Sequence, residues 1–141
     1  MNLNDKDEIN KIKQTIEIFL EGIFSNDYKK IYSVFHKDAQ SIGYSPKKGD
    51  IVIVGREHWK EMFDDYNPEP ELEESAKIEF IDTIGRAAIA RVRIDQEALG
   101  NKRIFYDYYS LQKINENWKI VNKNFHQESQ NEIFRINEWI L

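Results

Sequence analysis

The chain has 141 residues, of which 40% are hydrophobic and 32% are charged, as in an ordinary globular protein and unlike a disordered one. Its formal net charge of −5 argues against a nucleic-acid partner, which would require a basic face, and the absence of cysteine excludes disulfides and thiol chemistry. The polar first residues and the lack of any apolar run near the ~20 residues that span a bilayer favour a cytoplasmic protein without a membrane partner.

Three helices are predicted in the first half of the chain. Apolar residues recur at alternating steps of three and four between Ile9 and Phe24, the spacing of one buried helical stripe. The sequence Ser-Asn-Asp at 25–27 interrupts that pattern and provides a cap for a second helix. The predicted bounds are 28–35 and 56–66 for the second and third helices, and 39–44 and 51–54 for two short strands between them.

In the second half of the chain the apolar period changes to two. The alternation predicts strands at 77–84, 88–94, 103–114 and 118–126, which short turns would join into an antiparallel meander. Segments 67–75 and 96–102 are predicted as loops. We predict a single domain over 1–141, in which 127–141 is a C-terminal extension that packs on the body or on a partner.

Four segments carry a resemblance to a known family. They are FHKDA at 35–39, GREHW at 55–59, FYDYYSL at 105–111 and WKIVNKNF at 118–125. Together with the order of the elements, they resemble the nuclear transport factor 2-like superfamily and, within it, the family called putative lumazine-binding proteins, over residues 8–126. The resemblance implies an α+β, cystatin-like cone in which three N-terminal helices pack on a curved antiparallel sheet and enclose a pocket for a small molecule.

Asp107 is the strongest candidate for a functional side chain. Alternate residues of such a sheet point into the cone, and Asp107 shares its face with Phe105, Tyr109 and Leu111. The apolar members of this set predict that the shared face is the inner one. Burial would then raise the pKa of the carboxyl group and make Asp107 a usable general base. The open alternatives are an acid that bonds a tyrosine or the backbone, or one that faces outward.

The last strand is predicted to contribute two amides. Trp118 and Ile120 share a face with Asn122 and Asn124, so this face is predicted to be the inner one. Two amides at this spacing either orient a polar ligand or complete hydrogen bonds inside the cone. The opposite face, which would carry Phe125, is also apolar, and this favours a homodimer formed through the outer face of the sheet.

The remaining candidates come from the first half of the chain and the long strand. His36 is a candidate general base, with a capping or surface role as the alternative. Tyr44 and Tyr109 are candidate ligand contacts, together with Trp59 and Phe63, whose helical spacing is also typical of a core. The three histidines lack the spacing of a metal site and no glycine-rich phosphate loop is present, so neither a metal nor a cofactor is expected.

Two functions of different kinds remain open at this point. The first is a homodimeric binding module for a small, flat aromatic or heterocyclic compound, since flat rings stack on Trp and Tyr. The second is an isomerase, dehydratase or cyclase, the kind of enzyme that the resemblance implies, with Asp107 or His36 as its general base. A third possibility is that side chains fill the pocket and the protein acts through its dimer surface.

Overall fold

Three helices and six strands make up the described residues, which are 3–65 and 72–129 of a computed structural model. The helices are α1 (Leu3–Phe24), α2 (Tyr28–Val34) and α3 (Arg56–Asp65). The strands are β1 (Phe35–Ser45), β2 (Asp50–Gly55), β3 (Glu73–Ile84), β4 (Ala87–Ala98), β5 (Asn101–Ile114) and β6 (Asn117–Ser129). The strand β6 therefore runs into the segment predicted as an extension, and residues 130–141 of that segment lie outside the described ranges.

Within the described ranges the strands form one six-stranded sheet in the order β2-β1-β6-β5-β4-β3. Every neighbouring pair is antiparallel except β1 and β6, which are parallel. The prediction of a wholly antiparallel sheet is therefore wrong for this one pair. The reason lies in the chain order, because α3 and the β3–β5 meander form a crossover long enough to bring β6 back alongside β1 in the same direction.

The helices cover one face of the sheet, which we call the inner face, and the opposite face is called the outer face. The apolar stripe of α1 is buried against the sheet, and its Phe19 ring lies 5.4 Å from the Tyr109 ring on β5 and 5.9 Å from the Trp59 ring on α3. The helix α3 follows the first hairpin, so the three helices do not all precede the sheet. In the described chain, no helix combines the length and the apolar character needed to cross a membrane.

The strands of the meander are longer than predicted. β3 begins at Glu73, inside the predicted loop, and only the turn at Leu99 and Gly100 separates β4 from β5. Both turn residues have positive φ, 53° and 77°. Gln96 and Arg103 pair across the two strands, and both are buried, with the Arg103 Nε donating to Gln96 Oε1 at 3.0 Å. These strand ends bury polar partners, so hydrophobic alternation alone does not reveal them.

Candidate functional site

Two rows of paired residues on the inner face bring candidate side chains together. Residues that pair across neighbouring strands project to the same side of a sheet. From β1 to β4, one row is Ser41, Lys123, Tyr109 and Ala90. The adjacent row is Gly43, Phe125, Asp107 and Val92. All of them are buried, and Ser41, Asp107, Tyr109 and Lys123 are each 0% exposed.

The rows pack closely because position 43 is a glycine. A Cβ atom at Gly43 would overlap the ring of Phe125, which lies against the Gly43 backbone. The small residue on β1 therefore lets the Phe125 ring occupy the space beside Asp107 and Lys123. The polar residues of the two rows, together with Trp59 from α3, form what we call the inner cluster. Its members are Ser41, Trp59, Asp107, Tyr109 and Lys123.

Asp107 lies at the centre of the inner cluster. Its Oδ2 accepts a hydrogen bond of 2.9 Å from the Tyr109 hydroxyl, and its Oδ1 has no hydrogen-bond partner among the described residues. Burial disfavours the charged form and raises the pKa of Asp107 to about 6, although the positive charge of Lys123 and the Tyr109 hydrogen bond oppose the shift. The prediction that Asp107 shares the inner face with Phe105, Tyr109 and Leu111 is confirmed by the burial of all four.

Lys123 is the residue that the sequence analysis missed. Its Nζ lies 3.8 Å from Asp107 Oδ2, close enough for an ion pair and too far for a hydrogen bond. The same nitrogen lies 5.2 Å from the centre of the Trp59 ring and 4.9 Å from that of Phe125. Burial lowers the pKa of Lys123 to about 8, against the opposing effect of the Asp107 charge.

A β-bulge in β6 explains why Lys123 was missed. Ser110 pairs with Asn122, but the next residue of β5 pairs with Ile120, so Val121 is an extra residue in β6. One extra residue moves all later side chains to the opposite face. The prediction that Asn122 and Asn124 share the inner face with Ile120 is therefore wrong.

The residues that follow the bulge lie on the opposite faces of the sheet from those predicted. Asn122 is half-buried and Asn124 is exposed on the outer side, whereas Lys123 and Phe125 are buried on the inner side. The outward position predicted for Phe125 is wrong for the same reason. Alternation counted from Trp118 assigns Lys123 to the outer face, and the strand carries several other polar residues, so no signal in the sequence singles out this lysine.

Four side-chain atoms of the inner cluster are buried without a hydrogen-bond partner in the described part of the chain. They are Ser41 Oγ, Trp59 Nε1, Asp107 Oδ1 and Lys123 Nζ. Buried polar atoms without partners are rare in folded proteins, and a cluster of them requires a specific cause. The set combines donors from the lysine and the indole, an acceptor from the carboxylate, and a hydroxyl that does both.

The other predicted site residues lie in different surroundings. Phe63 is buried on α3, with its ring 5.9 Å from that of Trp59, and it has no polar atom to offer a ligand. Tyr44 is 60% exposed and alternates with the buried residues of β1, so it points away from the inner face. His36 is partly exposed at the start of β1, and its Nδ1 accepts from the Asp38 N–H at 3.1 Å. The structure thus gathers Trp59, Asp107 and Tyr109 and leaves His36 and Tyr44 apart from them.

Among the open grooves on the surface of the described residues are two that no residue of the inner cluster lines. One, of about 540 Å³, runs between β2 and α3 beside His58 and Met62. The other, of about 320 Å³, is lined mostly by acidic side chains at the ends of β3, β4 and β5. Among the residues that the structure describes, no set of three or more His, Asp and Glu side chains could hold a metal ion.

Comparisons with known proteins agree with this architecture. The family model described as "Putative lumazine-binding" matches residues 7–126. A nuclear transport factor 2-like protein of unknown function from Shewanella baltica is 26% identical with a TM-score of 0.74, covering 90% of this chain and 98% of that one. A domain of unknown function with a cystatin-like fold from Nostoc punctiforme is 15% identical with a TM-score of 0.66, covering 91% of this chain and 80% of that one.

A third similar structure is that of a putative scytalone dehydratase from Novosphingobium aromaticivorans. It is 15% identical with a TM-score of 0.65, and the match covers 93% of each chain. At this identity, as for the Nostoc domain, the likeness shows the fold alone. A search of curated proteins gives no match.

Proposed function

Because this chain belongs to the putative lumazine-binding family, we propose that it is a binding protein for a small organic molecule held by the inner cluster. One observation carries the proposal, namely the four buried polar atoms without hydrogen-bond partners in the described chain. Each unpaired buried group costs about 1–3 kcal/mol, and more if it is charged. A ligand with complementary groups would remove that cost on binding and gain the difference as affinity.

The chemistry of the inner cluster defines the ligand. Lys123 Nζ and Trp59 Nε1 call for a hydrogen-bond acceptor such as a carbonyl oxygen, and Asp107 Oδ1 calls for a donor such as an N–H or O–H group. The rings of Trp59 and Phe125, whose centres lie 5.2 Å and 4.9 Å from Lys123 Nζ, favour a flat molecule. The proposed ligand is therefore a heterocyclic or aromatic compound that carries an acceptor and a donor.

Native mass spectrometry of the chain purified from its own host tests the binding proposal. We expect a small molecule to remain bound to the wild-type chain and to the control Lys77→Met, since Lys77 is exposed on β3. Occupancy should fall at least about tenfold in Lys123→Met and Asp107→Asn, because each removes one of the polar groups that would meet the ligand. Equal occupancy in all four proteins, or none in any, would contradict the proposal.

One observation favours a second candidate function, an enzyme with Asp107 as general base. Its pKa of about 6 lies near neutrality, where a carboxylate is a far better proton acceptor than at its ordinary pKa. The position of His36, bonded to the backbone of Asp38, does not favour it for this role. Incubation of the co-purified ligand with protein in D₂O would reveal proton abstraction as deuterium incorporation. If Asp107 is the base, Asp107→Asn should abolish this incorporation but reduce ligand affinity by a much smaller factor.

The proposal also includes a homodimer formed through the outer face of the sheet. On β3, β4 and β5 the outer face exposes three large apolar or aromatic side chains. They are Ile89, Tyr108 and Phe80, with 47%, 44% and 37% of their surfaces accessible. Analytical ultracentrifugation should give a dimer for wild type, a monomer for Tyr108→Glu and a dimer for the control Ile18→Glu, since Ile18 is exposed on α1, on the other side of the sheet. The proposal retains the cytoplasmic location expected from the sequence, which fractionation of host cells would test.

A further inference from the structure

We propose that Lys123 forms an imine with its ligand, so that the inner cluster captures an aldehyde or a ketone in a reversible covalent bond. This inference rests on the proposed small-molecule site and specifies the class of compound that the site takes. It assigns to the lysine a chemical role in addition to hydrogen bonding.

The geometry around Nζ distinguishes Lys123 from a structural lysine. A lysine that stabilises a fold typically donates hydrogen bonds to a carboxylate. Lys113 on β5 does so, since its Nζ donates to Glu8 Oε1 on α1 at 2.8 Å. Lys123 Nζ is fully buried and makes no hydrogen bond to any residue in 3–65 or 72–129, and Asp107 Oδ2 lies 3.8 Å from it. An amine held in this way keeps its lone pair available once it loses its proton.

The surroundings of Nζ increase the fraction of the lysine that is a neutral, nucleophilic amine. Burial lowers the pKa of Lys123 to about 8, so that roughly one tenth of the side chain is unprotonated at pH 7. An exposed lysine with an ordinary pKa is unprotonated to less than roughly a thousandth at that pH. Desolvation of a lysine in an apolar pocket is a recognised way to activate it toward carbonyl compounds.

Asp107 is positioned to move the protons that imine formation requires. The reaction begins with neutral Lys123 beside protonated Asp107. The Nζ lone pair attacks the carbonyl carbon to form a C–N bond, Asp107 gives its proton to the carbonyl oxygen, which becomes a hydroxyl, and the resulting carboxylate takes a proton from nitrogen. Asp107 then gives that proton to the hydroxyl, the C–O bond breaks, and water leaves as the nitrogen lone pair forms the C=N bond. One carbonyl compound, one amine and the first proton of Asp107 give one protonated imine, one water and the Asp107 carboxylate, without any oxidant or reductant.

Two features of Asp107 suit it to this exchange. Its pKa of about 6 lets it hold and release a proton near neutral pH, and its Oδ1 is not engaged by any described residue. The Tyr109 hydroxyl occupies Oδ2 and fixes the orientation of the carboxylate. The flanking rings of Trp59 and Phe125 select carbonyl compounds that carry a flat ring.

Reductive trapping with benzaldehyde tests the inference on the intact chain. The protein is incubated at pH 7 with benzaldehyde and sodium cyanoborohydride, which reduces an imine to a stable secondary amine, and is then digested for peptide mass mapping. We expect Lys123 to be modified at least about tenfold more than exposed lysines such as Lys77, because Lys123 is desolvated and its pKa is lowered to about 8. Mapping also separates Lys123 from the N-terminal amine, whose ordinary pKa of about 8 makes it reactive too.

Matched variants and the pH dependence give further readouts. Lys123→Met should lose the internal adduct, whereas Lys113→Met should keep it. Trapping at Lys123 in wild type should rise with pH around a midpoint near 8. If Lys123→Met does not fold, the wild-type peptide map decides the question without it.

A non-carbonyl analogue separates this inference from the binding proposal. Benzyl alcohol has the same ring but cannot form an imine, and its binding can be followed through tryptophan fluorescence. If the alcohol binds and benzaldehyde leaves Lys123 unmodified, the imine is excluded and the binding proposal survives. If neither compound enters, both proposals fail for aromatic ligands of this size.

Discussion

The protein contains two trios of the same residue types, a carboxylate, a lysine and a tryptophan, and they behave in opposite ways. The first, which we call the Glu8 trio, is Glu8, Lys113 and Trp118, and the second, the Asp107 trio, is Asp107, Lys123 and Trp59. In the Glu8 trio, Lys113 Nζ donates at 2.8 Å and Trp118 Nε1 donates at 2.7 Å to the two carboxylate oxygens. In the Asp107 trio neither the lysine nor the indole makes a hydrogen bond within the part of the chain that the structure describes.

The pKa shifts of the two trios have opposite signs. The Lys113 and Trp118 hydrogen bonds lower the pKa of Glu8, and the hydrogen bond to Glu8 raises that of Lys113, so the charged forms are favoured. Burial raises the pKa of Asp107 and lowers that of Lys123, so the charged forms are disfavoured. The comparison indicates that the Glu8 trio joins α1 to the sheet, whereas the Asp107 trio is maintained at a cost to stability that a functional role would explain.

The largest expected effect comes from breaking the Asp107 trio on one side. Asp107→Leu leaves the buried Lys123 without its counter-charge and should lower the free energy of unfolding by about 3 kcal/mol or more at pH 6, where the lysine is protonated. The double variant Asp107→Leu/Lys123→Met should recover most of that loss, because it removes both buried charges. Urea denaturation measures both, and a double variant no more stable than the single one would show that the pair itself stabilises the fold.

The next effect concerns the glycine that makes room beside the Asp107 trio. Gly43→Ala places a methyl group against the Phe125 ring and should cost about 1–3 kcal/mol by overpacking. Gly55→Ala is the matched control, since no atom lies within 4 Å of a Cβ at that position and the change should be nearly neutral. Comparable losses for the two variants in urea denaturation would indicate that Phe125 moves aside at little cost.

A third prediction concerns how the contribution of the Asp107 trio to the free energy of unfolding depends on pH. The raised pKa of Asp107 means that its contribution to stability falls as pH rises from its ordinary value near 3.8 to about 6. The lowered pKa of Lys123 means that its contribution rises as pH increases from about 8 toward 10.5. The stability of Asp107→Leu/Lys123→Met relative to wild type should therefore be greatest between about pH 6 and 8 and smaller on either side, as measured by urea denaturation from about pH 4 to about pH 10. A difference that does not vary with pH would contradict the burial of the two charges.

The smallest expected effect comes from the Glu8 trio. Glu8→Gln should destabilise the chain less than Asp107→Leu, because Glu8 is partly exposed and solvent screens its charge. The lowered pKa of Glu8 gives a contribution that is fully present above its ordinary pKa and is lost as pH falls through the folded value. Thermal unfolding at pH 7 and pH 3 should show the difference between wild type and Glu8→Gln shrinking at the lower pH.

Alternation along β5 and helical spacing in α1 were sufficient to predict much of the architecture. Apolar Phe105 and Leu111 on either side of Asp107 and Tyr109 correctly indicated a buried carboxylate, since a regular strand keeps its period of two. The Ile9–Phe24 stripe likewise predicted a helix whose apolar side is buried. In a regular helix or strand the spacing of apolar residues predicts which face is buried, and both α1 and β5 are regular.

The irregular parts could not be predicted from spacing. Nothing in the residues around Val121 marks it as the extra residue of a bulge, and hydrophobic residues occur on both sides of the strand there, so the pattern fits either register. Gln96 was predicted to lie in a loop and Arg103 to begin the strand after it, although the two pair across neighbouring strands and bury a hydrogen bond. The partner that makes each residue suitable for burial lies on the neighbouring strand, and the alternation of apolar residues along one strand does not reveal it.

The parallel alignment of β1 with β6 has a consequence for the order in which the molecule assembles. Ser41 and Lys123 become neighbours only when the first strand meets the last, which requires closing a loop that includes α3 and the β3–β5 meander. Contacts this distant in sequence are entropically costly to form and slow the folding of domains that depend on them. Ligand-binding competence should thus appear among the last events of refolding, and substitutions along this seam should slow maturation even where they leave the final structure intact.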